Sequence, residues 1–141
     1  MMLERFLATG NLGDVHIGLS KSEVRRILGE PQDYSPRRKK HEIWKYGSLQ
    51  IAFTEDVVNF LGLYFDEGVL VLPEQLIGEA RVVIENTSLQ AVEELLIGKG
   101  LHFAVDEELT FDDQRRLLIE ESGASIMFSD AHLVSIQLGQ T

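Results

Sequence analysis

The side chains able to do chemistry in this sequence are four histidines, an acidic cluster and an aromatic pair, since the chain contains no cysteine. Without thiols there is no disulfide, no thiolate metal site and no sulfur nucleophile, so any reaction must run on oxygen or imidazole groups. His16, His41, His102 and His132 are scattered along the chain, with no His-x-x-x-His or comparable ligand spacing. Each lies beside a strand-like or turn-like stretch, where a lone imidazole serves as a hydrogen-bonding group. Asp106, Glu107, Glu108, Asp112 and Asp113 gather in one stretch but lack the alternating ligand order and central glycine of a calcium loop. They read as a solvated acidic loop. Nor is there a Gly-x-Ser-x-Gly elbow, a phosphate loop or a dinucleotide fingerprint, so no catalytic residue, cofactor or metal is expected.

What remains is surface recognition. Trp44 and Tyr46 would be interface anchors if they stood exposed. However, period-two patterning across Gly47-Ser48 pairs Tyr46 with Leu49, Trp44 with Ile51 and Glu42 with Phe53, which turns both aromatics toward a core. The opposite face of that hairpin carries Ile43, Lys45, Gln50 and Ala52. In the second half, if Leu117, Ile119, Ile126 and Phe128 line the core, then Arg116, Leu118, Glu120, Ser125 and Met127 point away from it. A sheet face that mixes apolar and charged residues is the candidate partner-binding surface, and its residues are Ile43, Lys45, Gln50, Ala52, Arg116, Leu118, Glu120 and Met127. The basic run Arg37 to Lys40 reads as a mobile surface loop, the alternative being a contact with an acidic partner or with the acidic stretch of the other half.

These residues need elements to hold them, and the clearest spans Ile17 to Pro31. Ser20 with Glu23 is a capping box; Val24, Ile27 and Leu28 share one helical face; Gly29 and Pro31 stop the helix. Val15-His16-Ile17 reads as a short strand leading into it, and Val57 to Phe65 as a strand covered on both sides. The pattern returns after a link. Arg81 to Ile84 reads as a strand, Thr87 with Gln90 as a second capping box, and Val92, Leu95 and Leu96 repeat the face of Val24, Ile27 and Leu28, 68 residues on. The expected fold is therefore α+β: two tandem repeats of a short strand, a helix and a three-stranded antiparallel meander, with the helices packed on one face of the sheet. Residues 1–66 form the first repeat, 67–80 a linker and 81–141 the second, in one compact domain.

Composition narrows the classes further. The 141 residues are 44% apolar, enough for a buried core. No apolar run approaches the ~18 residues of a membrane span, and Met1 to Gly13 lacks a basic start and an apolar signal core, so a cytoplasmic protein is expected. The net charge of −10, from 23 acidic against 13 basic residues, argues against a nucleic-acid partner and suits solubility or a basic protein partner.

The run Gly18-Leu-Ser-Lys-Ser-Glu-Val-Arg-Arg-Ile-Leu-Gly-Glu-Pro31, with Trp44-Lys-Tyr46 opening a meander, resembles the signature of the SmpA/OmlA family of small lipoproteins of outer-membrane barrel assembly. Two such units in tandem resemble the β-lactamase-inhibitor-protein fold, which implies a concave protein-binding sheet face. The chain lacks the acylated cysteine of the lipoproteins, so their membrane role does not carry over. The order of elements is also similar to that of intracellular immunity proteins found beside toxins. A non-catalytic protein-binding module of the immunity or inhibitor type is therefore expected. The alternatives are a small-molecule-binding protein or enzyme using the cleft between repeats, with Glu120, His102 or the acidic loop as polar groups, and a homodimer joined through Val57 to Phe65.

Overall fold

The computed structural model describes residues 2–38, 41–77, 81–84, 86–106 and 114–139. Short helices form where the local signals demand them. Helix α1 (Met2–Thr9) buries Leu3, Phe6 and Leu7. Helix α2 (Lys21–Leu28) begins at Ser20, whose hydroxyl accepts from the Glu23 N–H while the Glu23 carboxylate accepts from the Ser20 N–H, both at 3.2 Å. Val24 and Leu28 are buried, and Gly29 ends the helix at a φ of 79°. Left-handed backbone of that kind suits a residue without a Cβ.

Strands then take over. β1 (Asp33–Arg38), β2 (His41–Tyr46), β3 (Leu49–Thr54) and β4 (Val57–Tyr64) run antiparallel in sequence order. The β2–β3 register pairs Tyr46 with Leu49, Trp44 with Ile51 and Glu42 with Phe53, as the two-residue turn requires. In the β3–β4 turn both Glu55 and Asp56 adopt positive φ, 52° and 66°, the twist that matches paired strands. A small second sheet follows from β5 (Val69–Val71) and β6 (Arg81–Val83), with α3 (Glu74–Ile77) between them. After α4 (Leu89–Gly98) come β7 (Phe103–Val105), β8 (Gln114–Ile119), β9 (Ser125–Ser129) and β10 (His132–Gly139).

One sheet unites both ends of the chain. Its order is β1-β2-β3-β4-β10-β9-β8-β7, closed in the middle by antiparallel pairing of β4 with β10 from Tyr64 opposite Ser135 to Phe60 opposite Gly139. The expected α+β architecture of two tandem helix-led repeats, with helices packed on one face, is thereby corrected. This is a mostly antiparallel sheet protein dominated by a single eight-stranded sheet, in which the four helices of the described residues are short. The physical reason lies in segments with no strand pattern of their own. Asp33–Arg38, whose end overlaps the basic run expected as loop, becomes β1 by laddering onto β2, and Phe103–Val105 becomes β7 on β8. Val15-His16-Ile17 is no strand and contributes only a single bridge between Leu12 and Val15. The stretch expected as linker holds β5 and α3.

A single apolar cluster fills the interior. It joins Leu3, Phe6, Leu7, Val24, Leu28, Val92 and Leu96 of the helices to Trp44, Tyr46, Leu49, Ile51, Phe53, Leu61, Leu63, Leu117, Ile119, Ile126 and Phe128 of the sheet. Trp44 is 1% exposed and meets Phe53 edge-on with ring centroids 4.7 Å apart. Burying each side chain of this size is worth ~1.5–3 kcal/mol, so the cluster supplies the main folding drive. The Tyr46 hydroxyl donates to the Gly29 carbonyl at 2.8 Å, and burial pushes its phenol up to about 12.

Candidate protein-binding face

Alternation along each strand sends every second residue to the side away from that cluster. Cross-strand register lines those residues up. One row runs Asp33, Lys45, Gln50, Gly62, Gln137, Ser125, Leu118, Ala104 and touches all eight strands. A second row sets Ser35, Ile43, Ala52 and Phe60 side by side, and a third sets Tyr64, Ser135, Met127 and Arg116. Among the described residues, the buried apolar side chains of the helices all belong to the core cluster, whereas Ala52 and Phe60 are buried yet stand outside it.

The centre of this face was not read from the sequence. Gly62 lies between Phe60 and Tyr64, and a Cβ added there would come within 2.7 Å of the Tyr64 ring and 2.9 Å of the Phe60 ring. The two rings therefore close over the glycine backbone, forming an aromatic patch at the junction of β4 with β10. The available signal was the i, i+2 spacing of the two aromatics about a glycine in a strand, which marks a place where something approaches the backbone closely. The nearly all-apolar sequence of Val57 to Phe65 hid it by suggesting cover on both sides. β4 is in fact hydrogen-bonded along both edges, to β3 and to β10, so a homodimer cannot continue the sheet from it.

Seven of the eight candidate residues, Ile43, Lys45, Gln50, Ala52, Arg116, Leu118 and Met127, fall on this one face. Lys45 and Leu118 are exposed, Ile43, Gln50, Arg116 and Met127 are half-buried, and Ala52 is buried. Glu120 lies beyond β8, in the turn, where its N–H donates to the His102 carbonyl.

The edge of the face is held by a charged clasp on the other side of the hairpin. Lys21 of α2 contacts Glu42 at 2.6 Å and Asp56 at 3.1 Å, and the Trp44 indole N–H donates to the second Glu42 oxygen. The Arg25 guanidinium lies 4.8 Å from the Trp44 ring centroid, a cation–π contact. The hydrogen bond to Glu42 raises the Lys21 ammonium above its ordinary range. Burial pushes the Glu42 carboxyl up, but the Lys21 and Trp44 hydrogen bonds outweigh it and leave the group below its ordinary value. The clasp fixes α2 to β2 and so sets where Ile43 and Lys45 point.

Histidines take local partners. His41 Nδ1 is 3.2 Å from the Thr54 hydroxyl, His132 Nδ1 is 3.1 Å from the Thr87 hydroxyl, and His16 Nδ1 is 2.9 Å from the Ile17 carbonyl. His102 pairs with Glu121 at 2.7 Å. Among the described residues, no three His, Asp or Glu side chains converge as metal ligands. Residues 107–113 of the acidic stretch, residues 39 and 40 of the basic run and the side chains of 37 and 38 lie outside the described residues. No helix of the described residues is long and apolar enough to cross a membrane. Comparison with protein-family models, with curated proteins and with solved structures finds no match to this chain.

Proposed function

We propose that this chain is a non-catalytic protein-binding module, of the immunity or inhibitor type, that docks another protein on the sheet face around Gly62. The observation that supports the reading is the continuous row across all eight strands, an apolar and polar mixture with an aromatic patch at its centre. Such a composition suits an interface, where buried aromatic and Arg anchors sit within a polar rim. Tyr64 and Met127 are the anchors in this reading, seated beside the buried Phe60, with Lys45, Gln50, Arg116 and Gln137 around them. The net charge of −10 favours a basic partner by steering encounter rather than by contact, since Lys45 and Arg116 lie on the face itself. The proposed compartment is the cytoplasm, where a chain without cysteine depends on its core alone.

The test compares co-purification from host cells using the native chain and a Lys45→Glu/Leu118→Asp double variant. Both positions are exposed, so the fold is retained. A partner recovered with the native chain and reduced at least tenfold with the variant is the expected result. Recovery of the same proteins by both forms, or of none above background, refutes the reading.

A further inference from the structure

Behind the sheet, on the core side, a cavity of about 110 Å³ lies between α1, α4 and strands β9 and β10. Its walls include Leu3 and Leu7 of α1, Val92 of α4, Ile126 of β9, and Leu133 and Ile136 of β10. Ile84 and Ala91 also line it, and among the described residues its polar lining comes from Glu4 and Asn86. Glu4 is engaged by Lys99 at 3.2 Å, a contact that ties α1 to the end of α4.

We propose that this cavity is a binding site for a small uncharged apolar molecule of about the size of one aromatic ring. Three features point to that class. The walls are almost entirely apolar, and an enclosed apolar cavity of ~150 Å³ accepts benzene. The void is well below the ~300 Å³ at which pockets for drug-sized ligands begin, which limits the ligand to a ring or a short branched chain. Finally, there is a way in: Leu95, on the exposed side of α4, lines the cavity and is 41% exposed although it belongs to the apolar stripe of that helix. A charged ligand would lose its own hydration in an apolar chamber, which favours an uncharged one.

The experiment titrates the full chain with toluene and follows the methyl resonances of its Leu, Ile and Val side chains. Saturable shifts at Leu3, Leu7, Val92, Leu133 and Ile136, with Leu49 and Leu63 unmoved, are expected. The thermal midpoint should rise by about 3–6 °C with toluene at about ten times its dissociation constant. Ala91→Leu fills the chamber and should abolish both effects. Absent or unsaturable shifts, shifts that spread to Leu49 and Leu63, or toluene binding retained by a folded Ala91→Leu protein would each overturn the proposal. If that variant does not fold, the pattern of methyl shifts in the native chain decides alone. The Lys45→Glu/Leu118→Asp protein must bind toluene as the native chain does, because its substitutions lie on the other side of the sheet; loss of binding there also counts against this site.

Discussion

His102 and Glu121 show how far a single pair can be read as a pH dependence. The Glu121 carboxylate accepts from both the His102 backbone N–H and its ring, at 2.9 Å and 2.7 Å. The hydrogen bond and charge of Glu121 raise the His102 imidazole above its ordinary 6.5, and the hydrogen bonds from His102 lower Glu121 below its ordinary 4.5. A raised imidazole stabilises the fold fully below 6.5 and loses that contribution as pH rises through the shifted value. A lowered carboxyl stabilises the fold above 4.5 and loses it as pH falls. The pair therefore contributes most between 4.5 and 6.5, and weakly, since both groups face solvent. Proton NMR titration of the His102 ring should give a midpoint above that of His102 in Glu121→Gln. Identical midpoints in the two proteins would show that the pair does not persist in solution.

At the scale of elements, legibility follows how local the determinant is. The β2–β3 register and the α2 capping box were readable because each is fixed within a few residues, by a two-residue turn or by one side chain reaching one amide. The second helix start was misread by one position: Ser88, not Thr87, caps α4 by accepting from the Ala91 N–H at 3.2 Å, while the Thr87 hydroxyl is taken by His132. Two adjacent hydroxyls carry the same local signal, and a residue 45 positions away decides between them. β1 was invisible for a related reason, since a polar edge strand acquires its conformation from the ladder of its neighbour. Gly62 offers a sharp test at this scale. Replacing a strand glycine by alanine ordinarily stabilises by ~0.5–1 kcal/mol through reduced chain entropy. Here the new methyl would displace the Phe60 and Tyr64 rings, and overpacking of that kind costs ~1–3 kcal/mol. Gly62→Ala should thus lower the unfolding free energy read from denaturant titration by a net ~1 kcal/mol and shift the Tyr64 ring resonances, whereas an unchanged or raised stability would mean that the rings do not close over the glycine.

For the whole molecule, the decisive contact is the β4–β10 junction, which no local pattern announces because its partners lie about 70 residues apart, Tyr64 opposite Ser135. Halves that fold separately would each need an edge strand at that point, yet β4 is a largely apolar strand, with Leu61 and Leu63 buried on the core side beside Ile136 of β10. Exposed, such edges would pair indiscriminately; joined, they make one continuous sheet and one core. Cooperative unfolding follows, and Trp44 gives a way to see it, being the single tryptophan and seated in the first half of the sheet. Ile119 is 1% exposed on β8, across the junction and near the opposite edge. Ile119→Val removes one buried methyl group and should destabilise by ~0.5–1.5 kcal/mol. If the sheet unfolds as a unit, Trp44 fluorescence and far-ultraviolet circular dichroism will report the same lowered midpoint in the variant. A Trp44 transition that stays at its native midpoint while the dichroism signal shifts would show two units that unfold independently, and would remove the continuous eight-stranded face on which the proposed docking depends.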